Sequence, residues 1–178
     1  MDQSLFTYDI IAEDPKTHAR AGVLHTPHGD IETPIFMPVG TRATVKGVPW
    51  ETVKDLGAQI VLSNTYHLAM RPGADLIDEM GGLHSFDICM QLDQCIGYPA
   101  ERRDVQRAMD LSSRWAERCY KAHTRPDQAL FGIVQGGMHL DLRIKSLERL
   151  EEMGNFPGYG IGGYSVGEDH ETMFESLE

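Results

Sequence analysis

Cysteine is scarce and scattered. Cys89, Cys95 and Cys119 are the three thiols of the 178-residue chain, and no two of them form a Cys-x-x-Cys pair. That number and spacing exclude the paired framework of a small secreted domain, so the thiols are read as buried or inert. Positive charge is also short: 16 Lys and Arg stand against 27 Asp and Glu, a net charge of −11. So acidic a surface excludes broad, sequence-independent binding to nucleic acid or to an anionic membrane, while leaving room for one locally basic face. There is no apolar run of about 18 residues, the length a membrane-spanning helix needs. Met1-Asp2-Gln3-Ser4 has neither the basic nor the apolar region of a signal peptide, so a soluble, cytoplasmic protein is expected. Repeats of fixed period and low-complexity segments are missing as well.

What is present suits one ordinary core, since 41% of the residues are hydrophobic, and a single domain over residues 1–178 is expected. Residues 1–34 read as an antiparallel β cap: a strand over 4–11, a turn at Asp14-Pro15-Lys16, a strand near Val23 and a hairpin signal at His28-Gly29-Asp30. From residue 35 the pattern alternates. Pro34-Ile35-Phe36-Met37-Pro38-Val39-Gly40 reads as a first buried strand ending at Gly40-Thr41. A helix over 50–56 follows, with Pro49 in its first turn and Gly57 at its stop. Gln59-Ile60-Val61-Leu62-Ser63 reads as a second strand, the Asn64 to Leu68 stretch as its loop, and residues 74–80 as a helix closed by Gly81-Gly82.

The second half has the stronger periodicity. Val105, Ala108, Ser112, Trp115, Cys119 and Ala122 recur at steps of three and four, one face of a helix over 101–123. The opposite face carries Arg102, Arg103, Arg107, Arg114, Arg118 and Lys121 interleaved with Asp104, Asp110 and Glu117, and it reads as a solvated face rather than an RNA-binding stripe. Leu140, Ile144, Leu147 and Leu150 predict a further amphipathic helix, and residues 171–178 a last one. Trp50 and Trp115 read as packing residues, and His67 and His84 as structural loop histidines.

Three segments share a form that bears on function. Ile88-Cys89-Met90-Gln91-Leu92 ends in Asp93-Gln94-Cys95, Leu130-Phe131-Gly132-Ile133-Val134 ends in Gln135-Gly136-Gly137, and Tyr159-Gly160-Ile161 ends in Gly162-Gly163. Each is a short apolar β-rich run with a helical pattern soon after, the outline of a buried parallel strand feeding a βα loop. Together their ends offer a carboxylate, a primary amide and backbone N–H groups, which suit a flat polar ligand. On the residues alone, Asp93 reads equally as a capping aspartate and Gln135 as a loop amide.

Seven motifs in order resemble the tRNA-guanine transglycosylases of bacterial queuine tRNA-ribosyltransferase type. They are Thr33-Pro34-Ile35-Phe36-Met37-Pro38-Val39-Gly40-Thr41, Asn64-Thr65-Tyr66-His67-Leu68, Arg71-Pro72-Gly73, Gly81-Gly82-Leu83-His84-Ser85-Phe86, Leu92-Asp93-Gln94-Cys95, the stretch from Leu130 to Gly137, and Gly162-Gly163-Tyr164-Ser165-Val166-Gly167-Glu168. The resemblance implies a (β/α)8 barrel enzyme that exchanges guanine at the tRNA wobble position for a 7-deazaguanine base, preQ1 or queuine, in queuosine biosynthesis. It implies that Asp93 accepts from guanine N1–H and the exocyclic amine, with Gln135 and the Gly163 backbone donating to O6. That set reads guanine against adenine, and the base must leave the RNA stack to reach it. Tyr164 replaces the leucine common at that place in the family.

Two departures qualify what the resemblance implies. In the family a Thr-Asp-Ser-Gly-Gly-aromatic-Gln motif, whose aspartate does acid/base work, follows the Gly-Gly-Leu-His-x-Phe motif; here Phe86 runs straight into Asp87. The family's aspartate nucleophile, its basic tRNA-contacting region and its Cys-x-Cys-x-x-Cys plus His zinc site are not among these 178 residues either. No catalytic residue, zinc ligand or other cofactor is therefore assigned to this chain. Five barrel-like strands are expected, near Ile35, Ile60, Ile88, Ile133 and Ile161, which is an incomplete barrel divided as residues 1–34, 35–86 and 87–178. The alternatives are a barrel closed by a partner, a homodimer included, or a smaller rearranged sheet. For function, the enzyme reading stands beside that of a catalytically inactive guanine-binding remnant or a non-catalytic partner subunit.

Overall fold

The computed structural model describes residues 5–40, 44–63, 65–79 and 87–177. The motif from Gly81 to Phe86, with His84 in it, and the expected element ends at Thr41, Asn64, Met80 and Glu178 lie outside the described residues. The chain forms two compact units, Met1–Asp87 and Ile88–Glu178.

In the first unit β1 (Thr7–Glu13), β2 (Arg20–Thr26) and β3 (Gly29–Thr33) make the expected antiparallel meander. Asp14 sets the first turn: its carboxylate accepts from Lys16 N–H at 3.0 Å and from the Thr17 hydroxyl at 2.9 Å. A register shift between Ile10 and Ala12 bulges β1. That strand is exposed along its whole length, Ile11 at 69%, so the sheet buries little apolar surface of its own.

His25 ties the meander across its strands, with Nδ1 at 2.7 Å from Asp30 Oδ1 and Nε2 at 3.2 Å from Asp9 Oδ2. The bond to Asp30 first, and that to Asp9 second, raise its pKa above the ordinary 6.5. A raised folded-state pKa contributes stability that is fully present below the unfolded value and is lost as pH climbs through the folded one. The thermal midpoint of the wild type should therefore fall between about pH 6 and about pH 8 more than that of His25→Gln, in which the charged pair is absent. Equal slopes in the two melting series would remove His25 as the source.

The next expected elements differ. Residues 34–40 and 59–63 form no strands; they meet at a single parallel bridge, Val39 to Leu62. Gly40 N donates to Leu62 O at 2.7 Å and Leu62 N to Pro38 O at 2.9 Å. Pro34 and Pro38 remove two ladder donors from a seven-residue stretch, which limits pairing to the Val39 position. Helix α1 (Trp50–Asp55) begins one residue after Pro49, which is its N-cap and not part of its first turn. Gly57, at φ +83°, closes it by donating to Lys54 O at 2.9 Å. Trp50 is 45% exposed and so is not a core residue of this unit. The expected loop at residues 64–68 is a short helix, α2 (Thr65–Leu68), in which His67 is exposed. A wide turn, Ala69–Gly73, leads from it to α3 (Ala74–Glu79), with Arg71 extended at φ −163° and ψ 122° just ahead of Pro72.

The second unit alternates as its pattern requires. A parallel sheet of β4 (Ile88–Met90), β5 (Ala129–Val134) and β6 (Tyr159–Ile161) is crossed by α4 (Arg102–Ala122) between β4 and β5 and by α5 (Leu140–Met153) between β5 and β6. A short α6 (His170–Glu175) follows, and the Asp169 carboxylate caps it by accepting from Thr172 N at 2.8 Å. Of the five parallel strands expected, these three are formed.

One apolar cluster, Ala116, Leu130, Leu150 and Phe156, holds the helices to the sheet, and a second, Val105, Met109 and Leu142, joins α4 to α5. On α4 the expected Val105, Ala108 and Ser112 are buried, joined by Met109, Ser113 and Ala116, whereas Ala122 is exposed. Its charged face is laced with ion pairs, including Arg102 to Asp141 and Arg107 to Asp104. The buried face of α5 keeps the expected Leu150 and half-buries Leu147, but is otherwise rotated from the one expected. Leu142, Arg143, Ser146 and Leu150 are inside, while Leu140 at 67% and Ile144 at 49% exposure face out. The helix turns polar groups inward because it packs against strand ends, where backbone polar groups need partners. Among the described residues no helix is long and apolar enough to cross a membrane.

Candidate base-recognition site at the strand ends

The loops leaving β4, β5 and β6 bring Asp93, Gln135 and Gly163 together. The β4–β5 ladder runs on through Gln91 N to Phe131 O at 3.0 Å, and the β5–β6 ladder through Gly162 N to Val134 O at 3.0 Å. Three chain segments therefore reach the same edge of the sheet in fixed register. There the Gln135 side-chain amide donates from Nε2 to Asp93 Oδ2 at 2.6 Å, across 42 residues of sequence. Gln135 is buried, at 3% exposure, and its own N–H donates to the Ser146 hydroxyl of α5 at 3.1 Å. Asp93 is half-buried.

Glycine is required beside them. Gly163 has φ +79°, and a Cβ there would lie 3.0 Å from Gln135 Oε1; one on Gly162 would come within 2.5 Å of Gln135 Nε2. Any side chain at either position would enter the space next to the amide. Cys95 stands close by. Burial first, and then the Asp93 charge, raise its thiol pKa, and the Gly163 N–H acts in the opposite sense. Cys89 is pushed up to about 11 by burial and is a neutral thiol at pH 7. After Gly163 the chain turns through Ser165, at φ +59°, where the Glu168 carboxylate accepts from the N–H groups of Ser165 and Val166.

One residue of the site went unnoticed in the sequence. Arg143 of α5 is 7% exposed, and its guanidinium donates from Nε to Gly137 O at 2.7 Å and from Nη1 to Gly162 O at 3.0 Å. Its Cζ lies 4.0 Å from the centroid of the Tyr164 ring. The Tyr164 hydroxyl in turn donates to Ser176 O at 3.1 Å. The spacing of Arg143, Ser146 and Leu150 by three and four was the available signal, but an arginine in such a stripe is ordinarily taken for surface. Burial lowers the pKa of Arg143, yet a guanidinium stays charged across the working pH range.

The three converging groups can read one edge of a flat ring. A carboxylate takes two adjacent donors at once, and Gln135 and the Gly163 N–H supply donors on the flank for an acceptor. The described residues do not fit a zinc site. Cys89, Cys95 and Cys119 are unpaired thiols, and among the described residues no three His, Cys, Asp or Glu side chains converge as metal ligands.

Comparison with known proteins gives the family of the chain. The family profile described as queuine tRNA-ribosyltransferase matches residues 14–86 and 87–178. The chain is 42% identical to a queuine tRNA-ribosyltransferase of Halothermothrix orenii, an alignment covering 97% of the chain and 61% of that protein. It is 44% identical to that of Halalkalibacterium halodurans, over 97% of the chain and 60% of the relative. With the protein of that name from Acetivibrio thermocellus the identity is 41%, over 98% and 62%. The chain thus spans about three-fifths of the length of the curated relatives it matches. These alignments run over 229, 230 and 233 positions, so more than about 50 positions of the alignment have no residue here. The profile breaks at the junction of Phe86 and Asp87, where the resemblance lacks its aspartate-bearing motif. The chain belongs to the queuine tRNA-ribosyltransferase family.

Proposed function

We propose that the chain carries the base-reading half of a tRNA-guanine transglycosylase, which exchanges guanine at the tRNA wobble position for a 7-deazaguanine base such as preQ1 or queuine. The observation that supports this most is the 2.6 Å bond from Gln135 Nε2 to Asp93 Oδ2 beside Gly163. It sets a two-acceptor group and an amide donor side by side on one flat edge. Guanine offers the complement: N1–H and the exocyclic amine for Asp93, and O6 for Gln135 and the Gly163 N–H. Adenine puts an acceptor at N1 and a donor at its six-position, so it meets like with like at both. A 7-deazaguanine base carries guanine's edge unchanged, which lets one pocket serve the leaving and the entering base. The wobble nucleotide must be swung out of the anticodon stack to enter.

The reaction of the family proceeds by base displacement through a covalent ribosyl intermediate. Asp93 and Gln135 hold the base in that scheme. The family's aspartates of displacement and proton transfer are not among these 178 residues, so in that scheme another carboxylate, from this chain or from a second copy, takes their place. The strands β4, β5 and β6 are read as part of an incomplete (β/α)8 barrel, and the setting as the cytoplasm, where tRNA is modified.

A second reading has its own support. The family motif with the acid/base aspartate has no counterpart at the junction of Phe86 and Asp87, which favours an inactive guanine-binding remnant or a partner subunit. Exchange of labelled guanine into cognate tRNA by the purified chain, with Asp93→Ala as control, separates the two. The transglycosylase reading expects incorporation that the substitution abolishes. A folded chain that binds guanine and incorporates none is the remnant or the subunit.

A further inference from the structure

We propose that Arg143 is the positioning residue that aims the Gly163 N–H at the six-position of the bound base, through its grip on the Gly162 carbonyl. The inference rests on the base-reading role given above to Asp93, Gln135 and Gly163. Its physical core is the planarity of one peptide unit. The Gly162 carbonyl and the Gly163 N–H lie in the same rigid peptide plane and point in opposite directions within it. Arg143 Nη1 holds the carbonyl edge at 3.0 Å, so the orientation of the guanidinium fixes the direction of the N–H edge.

Without such a grip the plane would be loosely set, because it lies between two glycines and Gly163 has φ +79°. The guanidinium is itself held in three ways. Nε is bonded to the Gly137 carbonyl at 2.7 Å, the Tyr164 ring lies against it, and Ser176 anchors that ring through the tyrosine hydroxyl. One planar group thus ties the loop after β5 to the loop after β6. The remaining nitrogen, Nη2, is buried with no hydrogen-bond partner, so the buried cation is held for its two carbonyl bonds and its ring contact. Lysine cannot replace it: an ammonium on a flexible stem does not hold two carbonyls in one plane.

The test compares guanine with 6-thioguanine, which differs at the six-position acceptor that Gln135 and the Gly163 N–H meet. Dissociation constants are measured by equilibrium dialysis on the full chain for wild type, Arg143→Lys and Arg143→Gln. The amide signal of Gly163 is followed by NMR in the wild type as guanine is added. The expected result is a wild-type preference for guanine of about tenfold and a downfield shift of the Gly163 amide proton. In both variants the preference falls to about twofold or less. A ratio of two affinities does not depend on the folded fraction, so loss of stability alone leaves it unchanged.

Variants that keep the wild-type ratio overturn the positioning role, and so does a wild type that binds guanine with its Gly163 amide unmoved. The wild-type NMR arm can overturn the proposal even if neither variant folds. A wild type that binds neither base instead strikes the base-reading site itself, and the role of Arg143 falls with it.

Discussion

Replacing Asp93 by asparagine is expected to lower the affinity for guanine by about two orders of magnitude and to leave the fold intact. In the proposed site the carboxylate accepts from guanine N1–H and from the exocyclic amine, and hydrogen bonds to a charged group contribute about 1.5–3 kcal/mol each. Asparagine keeps one acceptor and turns an NH2 toward a second donor, so one bond is lost and a donor faces a donor. About 2.7 kcal/mol follows, a hundredfold in the dissociation constant. The same substitution weakens the 2.6 Å bond that holds Gln135, so the O6 contact suffers as well. Calorimetric titration with guanine, alongside circular dichroism of the variant, checks both parts. A folded Asp93→Asn protein with wild-type affinity would take Asp93 out of the site.

Gly136→Ala acts on the frame instead of the reading edge. Gly136 has φ +150°, and a Cβ there would stand 2.6 Å from Arg143 N and 2.9 Å from Leu142 C. These are backbone atoms of the first turn of α5, which cannot rotate away as a side-chain tip can. The strained backbone and the collision each cost about 1–3 kcal/mol, so a loss of about 3 kcal/mol or more is expected. At 178 residues that is a fall of about 10 °C in the thermal midpoint. Gly29→Ala is the control: φ there is +139° with nothing within 4 Å of the added carbon, so it carries strain without collision. Equal shifts for the two variants would mean that the approach of α5 to Gly136 contributes nothing.

Much of the second unit was legible because its signals agree with one another. Val105, Ala108 and Ser112 mark the inner face of α4 by spacing alone, and the apolar run at Leu130 that ends in Gln135-Gly136-Gly137 marks both a parallel strand and the polar loop that leaves it. Asp93 and Gln135 meet because polar groups placed abruptly after buried strands face a common edge, whereas their reading as base contacts comes from the family resemblance. Less was legible where two demands compete. Residues 34–40 have strand composition, but two prolines leave too few donors for a ladder, and one bridge at Val39 is what remains. On α5, counting aliphatic side chains selected Leu140 and Ile144, which are exposed. The helix packs on carbonyls as much as on apolar side chains, so Arg143 and Ser146 take the inner positions. No hydrophobic period reports that need; the polar ends of the neighbouring strands set it.

The most direct measurement is equilibrium dialysis of labelled guanine and labelled adenine against the full 178-residue chain under identical conditions. A site built from Asp93, Gln135 and the Gly163 N–H predicts saturable binding of guanine, with adenine weaker by about a hundredfold or more. Equal retention of the two bases, or of neither, would contradict the assignment of these strand ends to guanine recognition.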